Sequence, residues 1–457
     1  MHNEFGRRFV VGVFLALVLL LGIEGAPARA GWSAPLGVSS STAGFRYVAL
    51  ATDAHGDTAV AWVNERNVGR VQTRAVVNVA FSSPGGGVVT RTLWSDGNAL
   101  VGGVTVALDA HGELTIAWNS AARGRNGATL SPHAIRAAHR SPSGKWSPAQ
   151  IIGYSGPFLS ADLRLTLAPD GEVLLTWRAH TRNAPGVAAA WRNPGRGFGQ
   201  ESAVSRATSA MMVDPTPLFD SGGGAHVYGT VSCGRAIATC ATMVSAAAGS
   251  HRFGAPLLIA PAPAELPVVS FSAPGRALIA WEAGDYEALE PYFAVPHARV
   301  MNGGSLSTPV ALQPGSASIT SPVNAVAANE GGGTVSWSAL TLPYPGSART
   351  MLAVGDAMGQ FSPPSVPPVG LMPRLRDGVG DMLLTIGPAG PAGAPPSPVA
   401  MQPAGAGAVQ PSPAPLPPAM ATPLASLAGI ATTEPVGAGA AVAWVAAAKL
   451  EISTWQP

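Results

Sequence analysis

The chain has 457 residues, of which only 11% are charged, and its formal net charge is +2 at pH 7. With 55 glycines and 43 prolines, this composition favours short strands joined by tight turns and excludes disorder driven by charge. The small net charge also argues against binding to nucleic acid or to an anionic membrane surface, so we expect no nucleic-acid partner.

Residues 1–30 have the pattern of an export signal. Arg7 and Arg8 precede an apolar run from Phe9 to Ile23, and Ala28 and Ala30 give the small-x-small pattern that precedes cleavage. A bilayer span needs about 20 apolar residues, and this run is shorter. We therefore predict a signal peptide cleaved after Ala30, no membrane span in the mature chain, and a secreted or cell-envelope location. A retained membrane anchor is the alternative.

A repeated turn and strand fills the chain after residue 30. In its clearest copy, Asp109-Ala-His-Gly112 is followed by Glu113-Leu-Thr-Ile-Ala-Trp118. Seven copies place a glycine six residues before a large apolar residue: Gly56 and Trp62, Gly112 and Trp118, Gly171 and Trp177, Gly222 and Tyr228, Gly275 and Trp281, Gly331 and Trp337, and Gly380 and Ile386. An eighth copy ends on Trp444. The large apolar residues recur every 49 to 59 residues, which is a length typical of one four-stranded propeller blade.

A second element recurs between these hairpins. It consists of an aromatic or apolar residue, a small residue and often proline, as in Trp32-Ser-Ala-Pro35, Trp146-Ser-Pro148 and Phe253-Gly-Ala-Pro256. Proline cannot donate a hydrogen bond to a β-ladder, so it belongs on an edge strand. We interpret this element as the outer strand of each blade.

The two ends of the chain explain each other. An outer strand at residues 31–38 has no blade of its own, and the last blade supplies only three strands, at 426–431, 440–446 and 449–455. Pairing the two would leave no open sheet edge. We therefore predict an all-β fold with a single β-propeller over residues 31–457, made of eight four-stranded blades and closed by this pairing. Seven blades is the alternative.

Residues 387–424 are rich in proline, alanine and glycine. They could form a linker, but Val399-Ala-Met-Gln falls where the third strand of the seventh blade belongs. We favour a degenerate blade over a linker that interrupts the ring.

Cys233 and Cys240 are the only cysteines. Outside the cytoplasm they can form a disulfide across a hairpin loop, if the strands bring their Cα atoms within about 6 Å. Two free buried thiols would be the alternative.

Over residues 31–457, these repeats resemble the secreted bacterial β-propeller repeat proteins, including sialidase-like and other glycan-facing propellers. The sialidase aspartate box has Ser-x-Asp-x-Gly-x-Thr-Trp, with one residue between aspartate and glycine. Here, two residues separate Asp53 from Gly56 and Asp109 from Gly112. The resemblance therefore implies the fold and carries over no catalytic residue.

Several conspicuous residues have structural interpretations. Turn aspartates such as Asp53 and Asp109 can bond the backbone of their own turn, and tryptophans at a fixed strand position are typical of packing between blades. His55 and His111 share a turn position in two copies, so repeat descent explains them. We expect no metal or cofactor. The sequence also lacks G-x-S-x-G, H-E-x-x-H, P-loop and C-x-x-C motifs.

The loops between second and third strands should leave one face of the propeller, and charge concentrates in them. Rigid scaffolds often place their binding residues on such loops, although solvent exposure alone also makes loops polar. The candidate binding residues are Arg66, Arg123, Arg178, His180, Arg182, Asp285, Tyr286 and Glu287.

The function that we favour is a monomeric binding or scaffold module for an extracellular or cell-envelope glycan or protein. The alternative is a divergent propeller glycoside hydrolase or lyase, with Asp285 or Glu287 as acid and base and arginines holding an anionic sugar. That alternative requires two carboxylates within about 5–10 Å of each other.

Overall fold

A computed structural model of the chain describes residues 31–32, 36–40, 45–53, 55–67, 73–84, 86–122, 132–156, 162–181, 184–205, 212–233, 239–284, 294–313, 318–319, 323–327, 332–340, 348–365, 372–376, 383–386, 398–404, 408–411, 426–432, 440–446 and 449–456. Within these ranges, all regular secondary structure is β-strand. A helix capable of crossing a membrane is therefore absent from the described ranges.

The strands form eight sheets in which all pairs are antiparallel. Two short strands, β1 (Gly31–Trp32) and β2 (Leu36–Ser40), come first. Sheet 1 contains β3 (Arg46–Thr52), β4 (Thr58–Asn67), β5 (Thr73–Ser82) and β6 (Val88–Asp96). Sheet 2 contains β7 (Ala99–Leu108), β8 (Leu114–Ala122), β9 (His133–Arg140) and β10 (Gln150–Ser155). Sheet 3 contains β11 (Arg164–Leu167), β12 (Val173–Thr181), β13 (Ala184–Arg192) and β14 (Ser202–Ser205).

The next three sheets continue the pattern with local irregularities. Sheet 4 contains β15 (Val213–Phe219), β16 (Ala225–Ser232), β17 (Thr239–Ala246) and β18 (Leu257–Ala260). Sheet 5 contains β19 (Glu265–Ala273), β20 (Arg276–Gly284) and β21 (Ala294–Asn302), with β22 (Ser305–Leu306) and β23 (Val310–Ala311) both paired to β21. In sheet 6, β24 (Ser318–Ile319) and β25 (Asn324–Ala327) pair with one edge of β26 (Gly333–Leu340), and β27 (Ala348–Gly355) pairs with the other.

The last two sheets use the carboxy-terminal part of the chain. Sheet 7 contains β28 (Met372–Arg376), β29 (Leu383–Ile386), β30 (Pro398–Ala404) and β31 (Ala408–Pro411), so the proline-rich region contributes two strands. Sheet 8 contains β32 (Ser426–Thr432), β33 (Ala440–Ala446) and β34 (Lys449–Gln456), together with β1 and β2.

The hairpin turns have the structural role expected of their aspartates. Asp53 Oδ1 accepts the backbone N–H groups of His55 and Asp57, each at 2.9 Å. Asp109 Oδ1 does the same in sheet 2. Gly112 has a φ of 77°, a conformation that glycine adopts without a side-chain penalty. An aspartate acceptor and a left-handed glycine therefore close these turns.

The tryptophans occupy the same position in successive repeats, and this position lies between sheets. Trp62, Trp118, Trp177, Trp281 and Trp337 are at most 1% exposed. Trp118, for example, packs in a cluster with Val63 and Val77 of the preceding sheet. Burial of aromatic rings between sheets contributes much of the apolar area that stabilises such an architecture. The packing interpretation of these five tryptophans is confirmed.

Tyr228 does not follow the same pattern. The left-handed glycine of its hairpin is Gly223, with a φ of 80°, rather than Gly222. The turn bond from the Gly223 N–H to Asp220 O matches the bond from the Gly56 N–H to Asp53 O, so Tyr228 lies one residue before the position equivalent to Trp62. A one-residue change in a strand reverses the face on which a side chain lies. Tyr228 packs with Trp281 of sheet 5, whereas Val227 packs against sheet 3. The prediction that Tyr228 is equivalent to the tryptophans is wrong in this respect.

The Trp-Ser-Pro element is also displaced from its predicted place. Trp146 forms an isolated bridge with Arg140, and the backbone N–H of Ser147 donates to His139 O at 2.8 Å. The outer strand β10 begins only at Gln150, after Pro148. The element is therefore a bonded connection that leads into the outer strand, and its proline precedes the strand instead of lying within it.

The two ends of the described chain pair with each other. Trp32 lies opposite Trp455, and Leu36 lies opposite Ile452. Val38 and Leu450 from this sheet are buried with Trp62 of sheet 1. The predicted pairing of the amino-terminal segment with the final strand is confirmed.

Contacts between sheets follow the order of the chain. The first strand of each sheet contacts the preceding sheet, and β3 of sheet 1 contacts β32 of sheet 8. An all-β structure of four-stranded antiparallel sheets with these contacts is consistent with a β-propeller.

Candidate functional site at the first-strand end

One end of the sheets combines the start of each first strand with the end of each second strand. Antiparallel pairing places the two side by side, as in Glu265 opposite Glu282 and Arg46 opposite Val63. The loops toward the third strands leave from this same end. We call it the first-strand end, and it is the end at which the sequence predicts binding residues.

The backbone at the first-strand end has a recurrent left-handed residue. Tyr47, Asp162, Asp214 and Leu266 have φ values of 50°, 46°, 51° and 45°. None is glycine, so each conformation costs about 1–2 kcal/mol relative to ordinary strand backbone. All four lie 14 or 15 residues before the large apolar residue of their repeat. The same strained point of the repeat therefore carries a tyrosine, two aspartates and a leucine.

Beta-bulges accompany three of these residues. The register shifts between Arg46 and Ala49 in sheet 1, and equivalent shifts occur at the start of β15 and β19. Bulges re-aim side chains and are frequent next to functional sites. Tyr47 and Leu266 are 45% and 43% exposed, so the bulges present large side chains to solvent.

Arg178 lies within the sheet and pairs with Asp162. Their side chains are only 20% and 15% exposed. Burial raises the pKa of Asp162, the positive charge of Arg178 opposes this rise, and the negative charge of Asp214 adds to it. Arg178 thus lies in β12 with its guanidinium beside the carboxylate of Asp162, and its part in a binding face stays a prediction.

Glu282 is a buried carboxyl group at the same end of sheet 5. It is 4% exposed, and its Oε1 has no hydrogen-bond partner among the described residues. Burial is the main reason why its pKa is raised to about 7; a hydrogen bond from the Val323 backbone lowers it, and the charge of Glu265 raises it further. Glu282 thus keeps its proton at a pH at which an ordinary glutamate is ionised.

Glu265 is tied to sheet 4. Its Oε1 contacts the hydroxyl of Thr239, which also lies 3.0 Å from Ala264 O. Thr239 is adjacent to Cys240, which forms a disulfide with Cys233 across a Cα–Cα distance of 5.8 Å. The disulfide therefore closes the loop that positions Thr239 against the carboxylate.

Glu65 ties sheet 1 to sheet 2 in a similar way. Its Oε1 accepts the backbone N–H of Val101 at 3.3 Å, and its Oε2 lies 3.6 Å from Arg46 Nη1. The side chain of Arg46 is 65% exposed. Glu65 and Glu282 thus make the same kind of contact. In each case a carboxyl group on a second strand accepts a backbone hydrogen bond from the start of the next sheet.

The structure distributes the remaining predicted binding residues over separate sheets. Arg66 is exposed near the end of β4, opposite Arg74, and the backbone of His180 lies opposite Pro185 in sheet 3. The other five lie outside the described residues: Arg123, Arg182, Asp285, Tyr286 and Glu287. Their part in a binding face stays a prediction.

The sequence-based candidates missed the residues at the starts of the first strands. Asp162, Asp214 and Glu265 face this end, but they precede the large apolar residue of their repeat by 14 to 16 residues. The sequence signal that could have identified them is the recurrence of charged residues 14 to 16 positions before the large apolar residue. Sequence reasoning that looked only after the second strand could not find them.

The chain matches no known protein-family profile, and no curated protein sequence matches it. Solved structures with similar coordinates include the α-L-arabinanase of Penicillium chrysogenum complexed with arabinobiose, with 12% identity and a TM-score of 0.41 over 93% of this chain and 98% of that one. They also include the β-propeller domain of the trilobed protease of Pyrococcus furiosus, with 11% identity and a TM-score of 0.43 over 91% and 94%. The polysaccharide lyase Uly1 has 10% identity and a TM-score of 0.47 over 75% and 88%. Likeness at these levels says nothing about the ligand or the activity of this chain.

Proposed function

We propose that the mature chain is an exported, monomeric, closed eight-bladed β-propeller over residues 31–457, and that residues 1–30 are its signal peptide. It binds an extracellular or cell-envelope glycan or protein through the first-strand end. The pairing of β1 with β34 and the contact of sheet 8 with sheet 1 support closure. The disulfide supports an oxidising compartment.

The observation that carries the binding proposal is the recurrent strained backbone at the first-strand end. Strain of this kind persists where the surrounding structure imposes it, and it is concentrated at ligand-binding positions. Here, it occurs at one point of the repeat in four sheets and carries chemically different side chains. A fixed backbone with variable side chains is what recognition on a rigid scaffold requires.

The exposed groups suit a polar ligand with apolar patches. Tyr47 offers an aromatic ring that can stack on a sugar or a protein side chain, and Arg46 beside it offers an exposed guanidinium. Leu266 contributes an apolar contact on another sheet. Arg178 and Glu65, by contrast, already pair with other groups of the protein. We therefore assign them to holding the local backbone in place and not to contacting the ligand.

The experiment compares binding of the wild type with that of Tyr47→Gly and Leu266→Gly, on a glycan array and against a cell-envelope extract. Glycine adopts a positive φ without a side-chain penalty, so each substitution removes the side chain while keeping the backbone. We expect each variant to lose at least tenfold in affinity with its thermal midpoint maintained. Tyr154→Gly is the matched control, since Tyr154 is 50% exposed on an outer strand, and it should bind as the wild type does. Unchanged binding by both glycine variants would remove the proposal.

A glycoside hydrolase or lyase is the second candidate, and one observation favours it. Glu265 and Glu282 lie opposite each other on adjacent strands, where Cβ atoms are about 4.5–5.5 Å apart, and one of these groups holds a proton near neutral pH. The burial of Glu282 leaves it poor access to a substrate, so binding is the preferred function. Release of reducing ends from a polysaccharide panel, abolished by both Glu265→Gln and Glu282→Gln, would reverse that preference.

A further inference from the structure

A second polar cluster lies at the opposite end of sheet 4, where the hairpin joins β15 to β16. It consists of Asp220 in the turn, His226 in β16 and Ser245 in β17. Asp220 and His226 are 6% and 7% exposed, and Ser245 is partly exposed. His226 Nε2 lies 3.1 Å from Asp220 Oδ2, and His226 Nδ1 lies 2.8 Å from Ser245 Oγ.

The partners of Asp220 indicate which nitrogen of His226 carries the proton in the neutral imidazole. Burial alone would raise the pKa of Asp220, but hydrogen bonds from His226 and from the backbone of Gly224 and Gly222 outweigh burial and place it below the usual value. The carboxylate is therefore an acceptor only, so Nε2 must carry the imidazole proton. In the neutral imidazole, the lone pair of Nδ1 then accepts the hydroxyl proton of Ser245.

The histidine is held in this orientation from two sides. Asp220 Oδ1 accepts the backbone N–H groups of Gly222 and Gly224, each at 2.9 Å, which leaves Oδ2 for the imidazole. The ring of His226 stacks on Phe271 of sheet 5, with ring centroids 4.1 Å apart. A carboxylate that orients a histidine whose other nitrogen accepts a serine proton is the arrangement that activates serine nucleophiles.

The turn itself does not require this relay. In sheets 1 and 2, Asp53 and Asp109 close the same turn through Oδ1 alone. The residues six positions after them are Ala59 and Thr115, where sheet 4 has His226. The Asp–His–Ser chain is therefore an addition to the repeat that the fold of the hairpin leaves unexplained.

We propose that Ser245 is an acylatable serine that attacks carboxylic esters, with His226 as its general base. Ser245 Oγ forms a bond to the carbonyl carbon while its proton moves to His226 Nδ1. The carbon–oxygen bond of the ester then breaks, and the departing alkoxide takes that proton as an alcohol. Water releases the acyl group by the same route and restores Ser245. Asp220 is a positioning residue that keeps the proton on Nε2.

The direct test is to label the folded wild-type protein with a fluorophosphonate probe and to map the modified peptide by mass spectrometry. We expect modification at Ser245, and hydrolysis of p-nitrophenyl acetate faster than by the denatured protein. Ser245→Ala and His226→Gln should each lower the labelling rate at least tenfold, since general base catalysis typically contributes about 10²–10⁴-fold. Ser250→Ala is the matched control, because Ser250 lies in the next turn of the same sheet and its hydroxyl accepts the backbone N–H of Arg252, at 3.4 Å.

Mapping on the wild-type protein needs no variant, so misfolding of a variant cannot protect the proposal. Absence of label at Ser245 in the folded protein would overturn it. Equal labelling before and after denaturation, or an unchanged rate in a His226→Gln protein with a wild-type thermal midpoint, would overturn it as well.

Discussion

Glu282 shows how one buried side chain links the stability of this protein to pH. Its pKa is 4.5 in an unfolded chain and about 7 in the folded one. Between these values, the folded state binds a proton that the unfolded state has lost. The free energy of unfolding therefore falls as pH rises from about 4.5 to 7, and the loss is complete above the folded pKa.

Replacing the ionisable group should remove this dependence. In Glu282→Gln, the neutral amide carries no charge to bury, so we expect the variant to gain on the order of 3 kcal/mol relative to the wild type at pH 8 and little at pH 4.5. Urea denaturation at both pH values measures the difference. Glu265→Gln serves as the control, because removal of the neighbouring charge should only shift the midpoint of the transition to lower pH. Parallel stability profiles for Glu282→Gln and the wild type would show that Glu282 ionises normally.

Alanine substitutions at two turn glycines distinguish the cost of backbone strain from the cost of steric overlap. Gly112 has a φ of 77°, and the nearest atom to an added Cβ would be 3.8 Å away, so Gly112→Ala should cost only about 1 kcal/mol. Gly332 has a φ of 74°, and an added Cβ would collide with the backbone of Gly355 and Asp356. Gly332→Ala should therefore cost about 3 kcal/mol or more. Chemical denaturation of the two variants checks the order; equal losses would contradict it.

The hairpin that contains Tyr228 explains why a repeat predicts a strand more reliably than the face of its side chains. Residues 222–224 are three consecutive glycines, and the sequence does not distinguish which one adopts positive φ. The structure uses Gly223, which moves Tyr228 to the opposite face. The hairpin is therefore predictable from composition and spacing, but its register depends on packing against the neighbouring sheets.

The candidate site was hidden from the sequence for a related reason. Arg178 was a sequence-based candidate, but its partner Asp162 lies just before the neighbouring strand β11, and positive φ at a non-glycine residue has no composition signal. Glu265 and Glu282 become opposite each other only through the bulge that shifts the register of β19. Such cross-strand pairs can be predicted only when the strand register is known, and the residue pattern of the sequence does not determine that register.

The disulfide that joins Cys233, the residue after β16, to Cys240 in β17 gives a prediction for the loop at the first-strand end. The double variant Cys233→Ser/Cys240→Ser should lose about 2 kcal/mol of unfolding free energy, since a loop with a sequence separation of 7 gains entropy in the unfolded chain. Urea denaturation measures the loss.

Reduction of the wild type provides the control for this loop. Wild-type protein in a reducing buffer should unfold at the same urea concentration as the double variant. If reduction left the midpoint of the oxidised protein unchanged, the disulfide would not constrain the loop.

Over the molecule, the arrangement of the ends decides whether the sheets form a ring. The regular spacing of the tryptophans predicts successive sheets, and the orphan amino-terminal segment predicts its partner strand. The observed register of Trp32 with Trp455 agrees with both. Closure would place the first strands around a common axis, and the strained residues Tyr47, Asp162 and Leu266 would then surround one central opening.

Cross-linking in solution tests this closure most directly. Leu36 and Ile452 are register partners, so a protein with Leu36→Cys and Ile452→Cys should form that disulfide on oxidation, and a tryptic digest should contain the two linked peptides. Leu36→Cys with Leu427→Cys is the control, because Leu427 lies on the far strand of the same sheet and should not cross-link. A closed propeller predicts near-complete linkage of the first pair in the monomeric protein. Free thiols at residues 36 and 452 after oxidation, in a folded monomer, would contradict it.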